Sequence, residues 1–109
     1  KLNVSPKTFG IIHEGMKQAC SPGGTGWPLF DFTASNSAGL KTKIQTGCKT
    51  GTAESHGKSG IPHAWFTVFA PFDNPEIMLT VLVEEGGQGS DVAGPIARDI
   101  LKAYFERRE

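Results

Sequence analysis

Apolar side chains follow two different spacings along this chain. From Pro6 to Cys20 they recur every three or four residues, at Phe9, Ile12, Met16 and Ala19, with polar residues between, which is the period of one helix face. Ser5 can cap the first free N–H groups of that helix, and Pro6 suits its first position. Ser21-Pro22-Gly23-Gly24 ends it. The pattern predicts an amphipathic helix over 6–20 with its apolar face packed into a core.

Further along, the period changes to two. Over 42–54, Ile44, Thr46, Cys48 and Thr50 share one face, while Lys43, Gln45, Gly47, Lys49 and Gly51 share the other. This predicts a half-exposed strand on a sheet edge. Over 63–70, Ala64, Phe66, Val68 and Ala70 alternate with Trp65 and Phe69. Over 77–85, Ile77, Leu79, Val81 and Val83 alternate with Met78, Thr80 and Leu82. Strands apolar on both faces are expected to be covered on both. The short, turn-rich Pro71–Glu76 segment predicts an antiparallel hairpin between them.

A final helix is predicted over 91–106, capped by Ser90 or Asp91, with Pro95 in its first turn. Its buried stripe is Ile96, Ile100, Leu101, Tyr104 and Phe105, with Arg98, Lys102, Glu106 and Arg107 outside. Residues 21–41 read as a long loop pinned by Trp27, Leu29, Phe30 and Phe32. Its Gly23-Gly24-Thr25-Gly26 cluster lacks the residues that complete a phosphate-binding motif, and reads as surface loop. The fold class is α+β, an antiparallel sheet with helices on both faces.

Composition narrows the function classes. The 109 residues suit one small domain, and 14 glycines and 7 prolines make it loop-rich. Eleven basic and eleven acidic residues give a formal charge of zero, so the basic footprint of a nucleic-acid binder is missing. No run approaches the about 20 apolar residues of a membrane helix. His13, His56 and His63 are scattered without zinc-ligand spacing. The opening, Lys1-Leu2-Asn3-Val4-Ser5, has neither an initiator Met nor a signal segment, so the chain is expected to be a piece of a longer protein.

Candidate chemistry lies in Lys49-Thr50-Gly51-Thr52. A cation and two hydroxyls on an edge strand suit a carboxylate through charge-assisted hydrogen bonds. The strand's free N–H and C=O groups suit an extended peptide added alongside. An N–H near Gly51-Thr52 could face a developing oxyanion. The plain alternative is a polar strand face with no ligand.

Lys49-Thr50-Gly51 is also the K-T-G element of penicillin-binding proteins and serine β-lactamases. It continues into Thr52-Ala53-Glu54 and is followed by His63-Ala64-Trp65-Phe66, Asn74-Pro75-Glu76, Val83-Glu84-Glu85-Gly86-Gly87 and Ala93-Gly94-Pro95-Ile96-Ala97. The whole series resembles the C-terminal end of the transpeptidase domain of class B penicillin-binding proteins, elongation type. The resemblance implies a serine-type peptidoglycan D,D-transpeptidase without a cofactor, on the extracytoplasmic face of a bacterial inner membrane. Its partners would be stem peptides ending in D-Ala-D-Ala, β-lactams and a glycan-polymerising membrane partner.

By the same resemblance, Lys49 and Thr52 would be catalytic: Lys49 in the proton network, the Thr52 N–H as an oxyanion donor. Lys49, Thr50, Gly51 and Thr52 would bind the substrate and its terminal carboxylate. The alternatives within the fold are a β-lactam sensor, a non-catalytic scaffold or a serine β-lactamase.

Two departures stand out. Cys48 occupies a position where the family generally has glycine. Ser55-His56-Gly57-Lys58 fits S-x-x-K in letters only, because its glycines and Pro62 predict a loop, and Ser35-Asn36-Ser37 has the wrong spacing for S-x-N. The nucleophilic serine is therefore expected in an upstream segment or companion chain, leaving this piece inactive alone. Cys20 and Cys48 could pair in an exported protein, but two separate buried thiols are the expected state.

Overall fold

A computed structural model describes residues 1–107. Helix α1 runs over Pro6–Ala19 and starts as its sequence predicts: the Ser5 hydroxyl accepts from the Thr8 N–H at 3.2 Å. Its second half makes the tertiary contacts. The His13 ring stacks on Phe69 and Phe72 with centroids 4.8 and 4.3 Å apart, and the Lys17 ammonium lies 5.3 Å from the Phe72 ring centre. The predicted core face is only partly covered. Met16 and Ala19 are half-buried, whereas Phe9 and Ile12 are 56% and 55% exposed, because the helix meets the sheet through one end.

Residues 21–41 are more ordered than a loop. Trp27–Leu29 forms a 3-10 turn, and Thr33–Ser35 (β1) pairs antiparallel with Lys41–Lys43 (β2). The Asn36 side-chain oxygen accepts from the N–H groups of Ala38 and Leu40, both at 3.0 Å, and so closes a hairpin within a run of small polar residues. Of the four predicted anchors, Leu29 and Phe32 are buried; Trp27 and Phe30 face solvent. A further anchor of this segment is Arg98, which the sequence places on the solvent side of its helix. Its guanidinium donates to the Pro28 carbonyl at 2.7 Å and sits 5.4 Å from the Phe32 ring centre.

The strand predicted over 42–54 divides in two. β2 ends at Lys43, and β3 spans Gly47–Ala53. Between them the Ile44 N–H donates to the Phe32 carbonyl at 2.9 Å, and the Gln45 carbonyl accepts from the Phe72 N–H at 2.8 Å. These bonds go to neighbouring loops rather than to a ladder, so the chain leaves the small sheet there and enters the larger one. β4 (His63–Ala70) and β5 (Ile77–Val83) complete that sheet, antiparallel in the order β3-β4-β5. Among the described residues β3 is an edge strand.

The core lies on one face of this sheet. Ala64, Phe66, Val68 and Ala70 pack with Cys48, Leu29 and Phe32, and with Ala97, Leu101 and Phe105 of α2 (Gly94–Arg107). The other face carries α1 around Phe69, while Trp65, Leu82 and Met78 are exposed, Met78 by 70%. Helices thus lie on both faces, with the second face covered in part.

α2 differs in detail from its prediction. A wider π-type turn, Gly89–Ala93, leads into it, and Ser90 does not cap it: its hydroxyl donates to the Thr25 carbonyl at 2.6 Å. The buried stripe runs through Ala97, Leu101 and Phe105, with Ile96 and Ile100 42% and 44% exposed. Small Ala97 lets the helix approach the sheet, and the branched isoleucines fall to the side.

The expectation of two separate thiols is overturned. Cys20 and Cys48 form a disulfide, with Cα atoms 5.7 Å apart and a sequence separation of 28. The C-cap of α1 and the inward face of β3 bring both sulfurs to one buried point. Closing this loop contributes about 3–4 kcal/mol on chain-entropy grounds.

Candidate active site

Lys49, Thr50, Gly51 and Thr52 lie together in the middle of edge strand β3, opposite Thr67, Phe66, Trp65 and Ala64 of β4. They span about 10 Å at the rise of an extended chain. Alternation puts Lys49 and Gly51 on the open face and Thr50 and Thr52 on the other. The lysine does not stay on its face. Its ammonium curls back to donate to the carbonyl of its neighbour Thr50, which brings the charge toward the strand's main chain. Lys49 and Thr52 are exposed and Thr50 is half-buried, so a cation and two hydroxyls are reachable from solvent. Gly51 leaves space beside Trp65, where an added Cβ would lie 3.2 Å from the Trp65 Cβ.

What holds this strand still lies far away in sequence. The Thr50 hydroxyl bonds the Thr25 hydroxyl at 3.2 Å, and Ser90 bonds the Thr25 carbonyl. A Cβ on Gly89 would collide with the Trp65 carbonyl and press on the Gly51 backbone; one on Gly26 would strike the Cys48 sulfur. Gly26 and Gly89, one from each glycine run, therefore serve close packing against β3. Thr25 and Ser90 escape sequence reasoning because their contacts to β3 and to each other span 25 and 65 positions.

Other flagged residues are placed elsewhere. His13 sits in the aromatic stack with Phe69 and Phe72, the His63 Nδ1 accepts from the Glu85 N–H at 2.9 Å, and His56 is exposed in a loop. Among the described residues no group of three or more His, Cys, Asp or Glu side chains is gathered to hold a metal ion, and no helix is long and apolar enough to cross a membrane. Ser55-His56-Gly57-Lys58 is non-helical, and the Ser55 hydroxyl donates to the Ile61 carbonyl at 2.8 Å. Lys58 therefore does not lie one helical turn from Ser55, as an S-x-x-K pair requires.

Comparison with known proteins identifies the family. The family described as the penicillin binding protein transpeptidase domain matches residues 1–102. The peptidoglycan D,D-transpeptidase MrdA of Haemophilus influenzae is 48% identical over 46 residues, covering 42% of this chain and 7% of that protein. Among solved structures, Pseudomonas aeruginosa PBP2 in complex with WCK 5153 superposes with a TM-score of 0.74 at 28% identity, over 95% of this chain and 20% of that one. The imipenem acyl-enzyme complex of penicillin-binding protein A from M. tuberculosis gives 0.61 at 30% identity, over 94% and 20%. The chain spans 7% to 16% of the length of the curated relatives it matches. With an antiparallel sheet flanked by helices and a family match over nearly its whole length, the chain belongs to the penicillin-binding protein transpeptidase family, and is similar to the penicillin-binding protein 2 members of class B.

Proposed function

We propose that this chain supplies the carboxylate-binding side of a peptidoglycan D,D-transpeptidase active site. The observation that carries the reading is the exposed edge of β3, where the Lys49 ammonium folds back onto the Thr50 carbonyl and Thr50 and Thr52 carry hydroxyls within the same four residues. A carboxylate is acceptor-only and carries a full charge, so a fixed cation beside two hydroxyls that can donate favours it.

The reaction runs through a serine held on a segment outside these 109 residues. Its oxygen attacks the carbonyl between the two D-alanines, and the tetrahedral oxyanion takes a hydrogen bond from the Thr52 N–H. The C–N bond breaks, D-alanine leaves with a proton, and an ester to serine remains. An amine from a neighbouring stem peptide attacks that ester, forms the cross-link and frees the serine. Lys49 draws the substrate's terminal carboxylate toward β3 and takes part in the proton network. Thr50 and Thr52 fix the carboxylate's orientation, and Gly51 leaves room for the stem peptide to lie alongside the strand. β-Lactams place their own carboxylate on the same donors and acylate the same serine.

Two further observations support this reading. A similar protein has been captured as an imipenem acyl-enzyme. The Cys20–Cys48 disulfide fits an extracytoplasmic, oxidising location. The test is whether the complete protein forms a covalent adduct with fluorescent penicillin and releases D-alanine from a pentapeptide stem. Adduct formation with antibiotic turnover would instead mark a β-lactamase. No adduct at all would mark a non-catalytic scaffold and defeat the proposal.

A further inference from the structure

We infer that Thr25, from the glycine-rich loop behind β3, is a positioning residue that sets the direction in which the Thr50 hydroxyl points its proton. The inference rests on the carboxylate-binding role proposed for Thr50, and goes beyond it by assigning a residue outside the K-T-G strand. The two hydroxyl oxygens are 3.2 Å apart.

A threonine hydroxyl has one proton and two lone pairs. In the structure the Thr50 hydroxyl donates to that of Thr25. In that state its proton faces away from any carboxylate, and its lone pairs would repel one. Binding therefore requires the pair to reverse: Thr25 donates to Thr50, and Thr50 donates to the carboxylate. Such a chain is stronger than its separate bonds because each donor polarises the next.

The reversal is useful only if Thr25 is held in place, and it is held on three sides. Its carbonyl accepts from the Ser90 hydroxyl at 2.6 Å. The next residue, Gly26, donates its N–H to the Ala19 carbonyl at 2.7 Å and lies against the Cys48 sulfur. Gly24 on the other side donates to the Ser21 carbonyl at 2.9 Å. The loop is thus fixed to the end of α1, to the disulfide and to the turn before α2. The Thr25 side chain is itself exposed and fills no part of the core, so packing does not account for its hydroxyl. Thr25 is bonded to Thr50 and acts through it.

The test uses the complete protein with Thr25→Val, which keeps the shape and removes the hydroxyl, and Thr25→Ser, which restores it. Acylation rate constants are measured with benzylpenicillin and with its methyl ester, whose neutral carbonyl gains much less from a correctly turned Thr50 proton than a carboxylate does. Thr25→Val is expected to slow benzylpenicillin about three- to tenfold, and to change the ester by less than about twofold. Thr25→Ser should return both to the wild-type rate. In a Thr50→Val background, Thr25→Val should have no further effect.

An equal loss on both probes would mean a merely structural role and overturn the inference. So would a Thr25→Val protein that matches wild type, or a Thr25→Ser protein that does not recover. If wild-type protein is not acylated by benzylpenicillin at all, the proposed function falls and takes this inference with it. If wild type is acylated and Thr25→Val leaves the rate intact, only the inference falls.

Discussion

Cys48 is bonded to Cys20 and is followed directly by Lys49, so a covalent link joins the end of α1 to the residue beside the site's only strand-borne cation among Lys49–Thr52. Cys48 is fully buried on the inward face, and Lys49 points the opposite way. The bond therefore stiffens the strand at the buried position directly before Lys49.

Removing the link should cost stability. A Cys20→Ser, Cys48→Ser double variant is expected to lose about 2–4 kcal/mol. Thermal unfolding of the complete protein with and without a reductant measures this. Wild type should melt lower when reduced, and the double variant should be indifferent. Two freely alkylated thiols in native, unreduced protein would contradict the bond.

Gly89 offers a separate check on how β3 is backed. The Cβ of Gly89→Ala would be forced against the Trp65 carbonyl, with the Gly51 backbone close behind. Both are main-chain atoms and cannot swing aside. A loss of about 1–3 kcal/mol is expected from overpacking, read from urea unfolding, together with slower acylation because Gly51 is displaced. Wild-type stability would show that the turn is looser than described.

Arg98 tests the packing of the loop that carries Thr25. Arg98→Met keeps a long apolar stem but gives up the bond to the Pro28 carbonyl and the contact over Phe32. The expected loss is about 1–2 kcal/mol in chemical denaturation. Arg98→Lys should recover less than half of it, since an ammonium cannot both stack and donate as the planar guanidinium does. Full recovery by lysine would reduce Arg98 to a simple charge.

The periodic elements were legible in the sequence and the contacts between distant loops were not. Pro6–Ala19 and His63–Ala70 follow directly from spacing and caps, because their signals are local. The edge position of β3 was also readable, from its polar outer face. The β1–β2 hairpin was hidden because small polar residues carry no alternation, and a side-chain bond from Asn36 makes its turn. The break at Ile44–Thr46 kept perfect alternation, yet its hydrogen bonds go to Phe32 and Phe72. Ser90 looked like a cap until its hydroxyl found the Thr25 carbonyl. At the site, the composition of Lys49–Thr52 pointed to a carboxylate, and the likeness to a known family narrowed it to transpeptidation. Thr25 needed the folded chain.

The most direct measurement is the acylation rate of the complete Lys49→Ala protein with fluorescent penicillin, beside wild type and with folding checked by thermal melting. Loss of the ammonium proposed to draw in the carboxylate and share the proton network should slow acylation by about a hundredfold or more, with melting little changed because Lys49 is exposed. A Lys49→Ala protein acylated at the wild-type rate would contradict the assignment of β3 as the carboxylate-binding side of the site.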